Sequence, residues 1–180
     1  MSYTLETFCE DCRRALRADP GPAGREKVRA LVERLISDRD FVAAHVSPES
    51  PIGKRTLFED PNLGFVVLAY NQDKAHRSPP HDHGRSWAVY GQVDAYTEMT
   101  EYRRRDQGNG AGPAEVEPIK KYRLDPGQAG LYDGAEIHAI DYPAGARYVR
   151  VTGTDLDRVP RIRYDQAGKR AEIIESASAS

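Results

Sequence analysis

The chain has 180 residues, with 26 Lys and Arg against 28 Asp and Glu and a formal net charge of -2. That balance offers no basic face for a nucleic acid, and no run of about 18 apolar residues supplies a membrane span. The length suits one domain that buries a core without staples.

The N-terminal stretch MSYTLETFCEDC has neither the basic flank nor the apolar centre of a secretion signal, so a cytoplasmic protein is expected. Residues 4–18 read as an amphipathic helix, which Pro20 cannot continue. Cys9 and Cys12, the chain's two cysteines, have the C-x-x-C spacing of zinc and redox sites. They fall, however, on one helical stripe with Leu5, Phe8 and Leu16, and no second pair of sulfur ligands exists. Both thiols are therefore read as core packing. Residues 24–37 read as a second helix, with Val28, Leu31, Val32 and Leu35 on its apolar face. A short helical stretch follows to His45.

After Pro51 the pattern changes. LGFVVLAY (63–70) and SWAVYGQV (86–93) read as buried strands, and DAYTEMTEYRR (94–104) alternates with period two. VEPIKKYRL, AGLY, EIHAID and ARYVRVTG follow as short strands between Gly and Pro turns. Helices first and then about eight short strands predict a mainly β barrel or sandwich with an N-terminal helical cap. We expect helices over 1–50, a barrel over 51–165 and a flexible tail over 166–180.

Two of the chain's 5 histidines, His81 and His83, stand one residue apart after Pro79 and Pro80. In an extended segment, side chains at i and i+2 point to the same side. Both imidazoles can then face one cavity, while Asp82 points away. His138, in a later alternating segment, is the strongest candidate for a third nitrogen donor; His45 and His76 fall in a helix and a polar turn. Three neutral imidazoles leave coordination positions open. With Fe(II) such a site binds a substrate and O2 together, and with Zn(II) it activates water.

The stretch PPHDHGRSWAVYGQV followed by the lone His138 resembles the cupins, whose fold is a double-stranded β-helix barrel. Within them it is similar to the thiol dioxygenases that act on cysteine and 3-mercaptopropionate. Most cupins place a glutamate ligand soon after the His-x-His; Ser86, Trp87 and Ala88 stand there in this chain, an omission the thiol dioxygenases share. The resemblance implies Fe(II) on His81, His83 and His138, and a small, carboxylate-bearing thiol oxidised by O2 to its sulfinate. It further implies that Arg55 pairs with the carboxylate. Trp87 either walls the iron pocket or fills the barrel. Of the family's serine, histidine and tyrosine in the last strand, ARYVRVTG has no histidine, whose place Arg150 takes, and Thr152 stands where the tyrosine is expected. Tyr148, Tyr142 and Tyr90 are the possible substitutes. Two other readings use the same ligands: another metal-dependent cupin enzyme, or a cupin that binds a small molecule without turnover. A monomer or homodimer is expected.

Overall fold

The computed structural model describes residues 2–106 and 108–175. Three helices open the chain: α1 (Leu5–Ala18), α2 (Pro22–Ile36) and α3 (Arg39–His45). Each start has a local cause. The Thr4 hydroxyl accepts from the Thr7 N–H, Pro22 occupies the first turn of α2, and the Asp38 carboxylate accepts from Asp40 and Phe41. Phe8, Cys9, Cys12, Ala15 and Leu16 of α1 are buried, as are Val28, Val32, Leu35 and Ile36 of α2. Both cysteines are free thiols in this core. Burial pushes the Cys9 thiol up to about 12 and Cys12 higher still, so neither is a ready thiolate.

The strands are β1 (Gly53–Glu59), β2 (Val66–Asn71), β3 (His76–Arg77), β4 (Ala88–Asp94), β5 (Thr97–Arg104), β6 (Gly112–Pro113), β7 (Val116–Leu124), β8 (Ala129–Tyr132), β9 (Ile137–Tyr142) and β10 (Arg147–Thr152). A 3-10 turn (Leu156–Arg158) leads to β11 (Arg161–Asp165) and β12 (Arg170–Ile174). They form a five-stranded sheet in the order β1-β2-β10-β4-β8, a four-stranded sheet β3-β9-β5-β7 and a small sheet β11-β12-β6. All pairings are antiparallel.

Strand parity divides the five-stranded sheet between two cores. Phe65, Val67, Ala69, Trp87, Val89, Val149 and Val151 face the helices. Val66, Leu68, Tyr70, Ala88, Tyr90 and Tyr148 face the opposite sheet, where they meet Met99, Leu124, Ile140 and Tyr142. The fold is thus mainly β, a double-stranded β-helix barrel closed on one side by the N-terminal helices, as the sequence predicts. Gly91 lets α2 lie close on β4: a Cβ there would come within 2.4 Å of the Val32 side chain.

Residues 166–174 differ from expectation. β11 and β12 pair as a hairpin, with Tyr164 and Ala171 in a small core, so the expected tail is structured as far as Ile174. Its alternating RIRYD and RAEII segments carry that pairing. Residues 176–180 lie outside the described residues. Among the described residues no helix is long and apolar enough to cross a membrane.

Candidate metal centre

His81 and His83 sit on the segment between β3 and β4, and His138 on β9. The backbones of His81 and His138 exchange N–H to carbonyl bonds of 2.9 Å in both directions. Direct cross-strand neighbours point to the same face, so the two imidazoles lie side by side. Asp82 points away, as expected, and its carboxylate accepts from the N–H groups of Gly84 at 2.9 Å and Ile162 at 3.0 Å. It thereby ties the loop to β11. Gly84 turns the chain out of the site at φ +61, where a Cβ would come within 2.4 Å of the Pro160 carbonyl oxygen.

One nitrogen from each of His81, His83 and His138 lies within 4.8 Å of the others. Carbonyl partners fix two of the tautomers. His81 Nδ1 lies 3.0 Å from the Pro79 oxygen and His138 Nδ1 lies 3.3 Å from the Glu136 oxygen. A carbonyl only accepts, so Nδ1 carries the proton in both rings and Nε2 keeps its lone pair. The Tyr90 hydroxyl lies 3.4 Å from His83 Nε2, and His83 Nδ1 and His138 Nε2 are buried without partners among the described residues. The orphaned, acceptor-state Nε2 of His138, with one nitrogen of each neighbouring imidazole close by, fits a metal ion.

The electrostatics agree. Burial, then the charge of His81, lowers His138 to about 3, against the opposing pull of the Glu136 carbonyl. Burial also lowers His81, and it lowers His83 well below the ordinary range. All three are neutral at pH 7, the state in which imidazole binds a metal. His83 and His138 are 1% and 0% exposed, so His81 forms the accessible edge.

Arg150 enters from β10 on the inward face, directly opposite Tyr90 of β4. Its guanidinium carbon stands 5.0 Å from the Tyr70 ring centre and 5.8 Å from that of Tyr90. Its charge contributes to lowering all three histidines. Its Nε and the Thr152 hydroxyl are buried without partners among the described residues, and none of the ion pairs there includes Arg150. Phenols line the same interior: Tyr70 stacks on Tyr148 at 4.5 Å, Tyr148 lies 5.8 Å from Tyr142, and Tyr132 lies 4.5 Å from the His138 ring. Of the expected substitutes, Tyr90 reaches a ligand ring; Tyr148 and Tyr142 stand behind it.

Two expected site residues, Arg55 and Trp87, stand apart from the three histidines. Arg55 of β1 pairs with Ala69, whose side chain belongs to the helix-facing core. Its guanidinium donates to the His45 carbonyl at the end of α3. It therefore satisfies a helix terminus and lies on the far side of the sheet from the histidines. Trp87 belongs to the same helix-facing core and packs against Gly153; parity with the inward Ala88 and Tyr90 turns it away from the cavity. Sequence reasoning missed Tyr132 and Arg161. The available signal for both was strand alternation, in GLY and in RIRY.

No family model matches the chain, and no curated protein matches it. Solved structures do. The KdgF protein of Halomonas sp. is 15% identical over 60% of this chain and 85% of that one, with a TM-score of 0.41. A cupin superfamily protein of Desulfitobacterium hafniense is 12% identical over 63% and 87%, at 0.44. A conserved protein of Klebsiella pneumoniae with a double-stranded β-helix domain is 16% identical over 62% and 80%, at 0.42. The class rests on this chain's own strand order and site: a double-stranded β-helix barrel with a three-histidine group able to hold a metal ion.

Proposed function

We propose that the protein is an Fe(II)-dependent thiol dioxygenase that converts a small acidic thiol and O2 to the sulfinate. The observation that supports this reading is the donor set. Three neutral imidazoles converge without a carboxylate among the described residues, and a guanidinium that joins no ion pair there, its Nε buried without a partner, stands in the same barrel interior. The reaction balances without a further reductant: RSH + O2 gives RSO2H. Two S–O bonds form, the O–O bond breaks, sulfur loses four electrons and the acid proton passes to solvent.

Bound Fe(II) would supply a common site for sulfur and O2 and mediate electron transfer between them. His81, His83 and His138 would hold it, His81 and His138 through Nε2. Neutral donors add no negative charge, so the cavity favours the anionic, thiolate form of the substrate. Arg150, rather than Arg55, is the group that can receive the carboxylate, through its planar fork of donors. The Tyr90 hydroxyl holds the His83 ring, and the phenol wall limits water around the reacting sulfur.

The test is O2 uptake by anaerobically Fe(II)-loaded protein with 3-mercaptopropionate, cysteine and cysteamine. Turnover of the acids, abolished in His138→Ala and weakened in Arg150→Met, is the expected result. Folded, loaded protein that consumes O2 with none of these thiols overturns the reading in favour of another cupin reaction or of binding without turnover.

A further inference from the structure

The barrel mouth holds more cationic charge than one carboxylate needs. Arg161, the first residue of β11, shares the parity of Arg163, the cross-strand neighbour of His81. It therefore projects to the side that His81 faces. Its Nε is buried without a partner among the described residues. Arg161 lies near enough to His81 and His83 for its charge to add to the lowering of both. Arg163 is engaged with Glu172 at 2.7 Å and half-exposed, so it is not a second free cation.

None of the nearby carboxylates among the described residues forms an ion pair with Arg150 or Arg161. Asp157 is engaged by Lys54 at 2.6 Å. Its carboxyl is held below the usual range first by that bond, with burial opposing, and then by the charges of Lys54, Arg161 and Arg150. Asp82 is committed to the backbone N–H groups of Gly84 and Ile162. Among the described residues no carboxylate lies within ion-pair distance of Arg150 or Arg161. Two guanidinium groups whose Nε atoms are buried without partners and that join no ion pair among the described residues are costly in the free protein. A ligand with one negative group would leave the second uncompensated.

We propose that the substrate is a small thiol with two anionic groups, one received by Arg150 and the other by Arg161. The two anchors come from different walls, β10 of the five-stranded sheet and β11 beside His81. Anchors on two different walls suit a dicarboxylate with the thiol between its acid groups. The Thr152 hydroxyl, on the same inward face as Arg150, offers a further donor to the first carboxylate. This inference rests on the thiol-oxidation reading only for the sulfur; the two-anion preference stands on the cations.

The experiment separates the two. Succinate and butyrate are titrated calorimetrically into Zn(II)-loaded protein, which is redox-silent. Mercaptosuccinate and 3-mercaptopropionate are compared by O2 uptake with Fe(II)-loaded protein. The expected result is a preference for the diacid of about tenfold or more in both assays. Arg161→Met narrows both ratios towards one by weakening the diacid, and Arg161→Lys restores part of the difference. Equal binding of succinate and butyrate, or equal loss for mono- and diacid in Arg161→Met, overturns the inference. Succinate preference without oxidation of any thiol refutes the dioxygenase reading and leaves the two-cation site standing. Thiol oxidation without diacid preference does the reverse.

Discussion

Replacing Arg150 with Met should stabilise the metal-free protein while it removes acid binding. In the free protein the guanidinium has no carboxylate partner among the described residues and its Nε is enclosed. Exchanging buried charge for an apolar side chain of similar length gains about 1–4 kcal/mol in favourable cases. Against this stands the attraction to the Tyr70 and Tyr90 rings, at 5.0 and 5.8 Å, whose loss costs about 0.5–2 kcal/mol. The net expectation is a gain of about 1–2 kcal/mol, or ~2–8 °C in Tm for a chain of this size. The measurement is urea unfolding with chelator present, so that metal linkage does not enter. The midpoint should rise with an unchanged slope. Succinate should raise the midpoint of the parent protein but not of the variant. A loss of about 1 kcal/mol or more in Arg150→Met would refute the reasoning, because it would mean that the apo fold already satisfies the charge.

The metal-free protein should lose stability as pH falls from about 6.5, the unfolded value of histidine. His138 holds out to about 3 in the fold and His81 and His83 are lowered too, so the unfolded chain takes up protons that the native one refuses. Urea midpoints measured between pH 7 and 5, above the range of ordinary carboxylates, test this; a flat profile counts against three buried neutral histidines. Metal affinity should weaken over the same interval. His138→Ala should lower Zn(II) affinity by more than the ~10–100-fold of an outer-shell change, as read by competition with a chelator; a smaller loss would remove it from the ligand set. Trp87→Ala should cost about 3–5 kcal/mol yet leave the Zn(II) affinity of the folded protein unchanged, because the ring packs in the helix-facing core. Arg55→Met should likewise leave the KM for acidic thiols within about twofold, given that uniform binding contacts alone set such shifts; a rise limited to acids would return Arg55 to the site.

The fold and the three histidines were legible because they rest on local rules. Period two, caps and prolines mark the strands and helices, and the i, i+2 spacing puts His81 and His83 on one side. What the sequence does not disclose is which face of a strand looks into the barrel. In ARYVRVTG, Val149 and Val151 form the apolar face and Tyr148, Arg150 and Thr152 the polar one. On a sheet with one wet side the apolar face would be the interior. Here the helices cover the other side, so the valines pack against them and the polar face lines the cavity.

Arg55 and Trp87 were misplaced for the same reason. Arg55 shares the parity of Ala69, which belongs with Val67 under the helices, and only the pairing of β1 with β2 discloses that register. Trp87 follows the Gly84 turn, across which the parity of His83 does not carry, and it falls beside Val89 in the helix-facing layer. A charged residue in a barrel strand is therefore placed by the parity of its paired neighbours and not by its distance from the ligands. Applied to the whole chain, that rule moves the proposed anion-binding role from β1 to Arg150 on β10. It also suggests Arg161, whose strand comes to the site only through the pairing of Arg163 with His81.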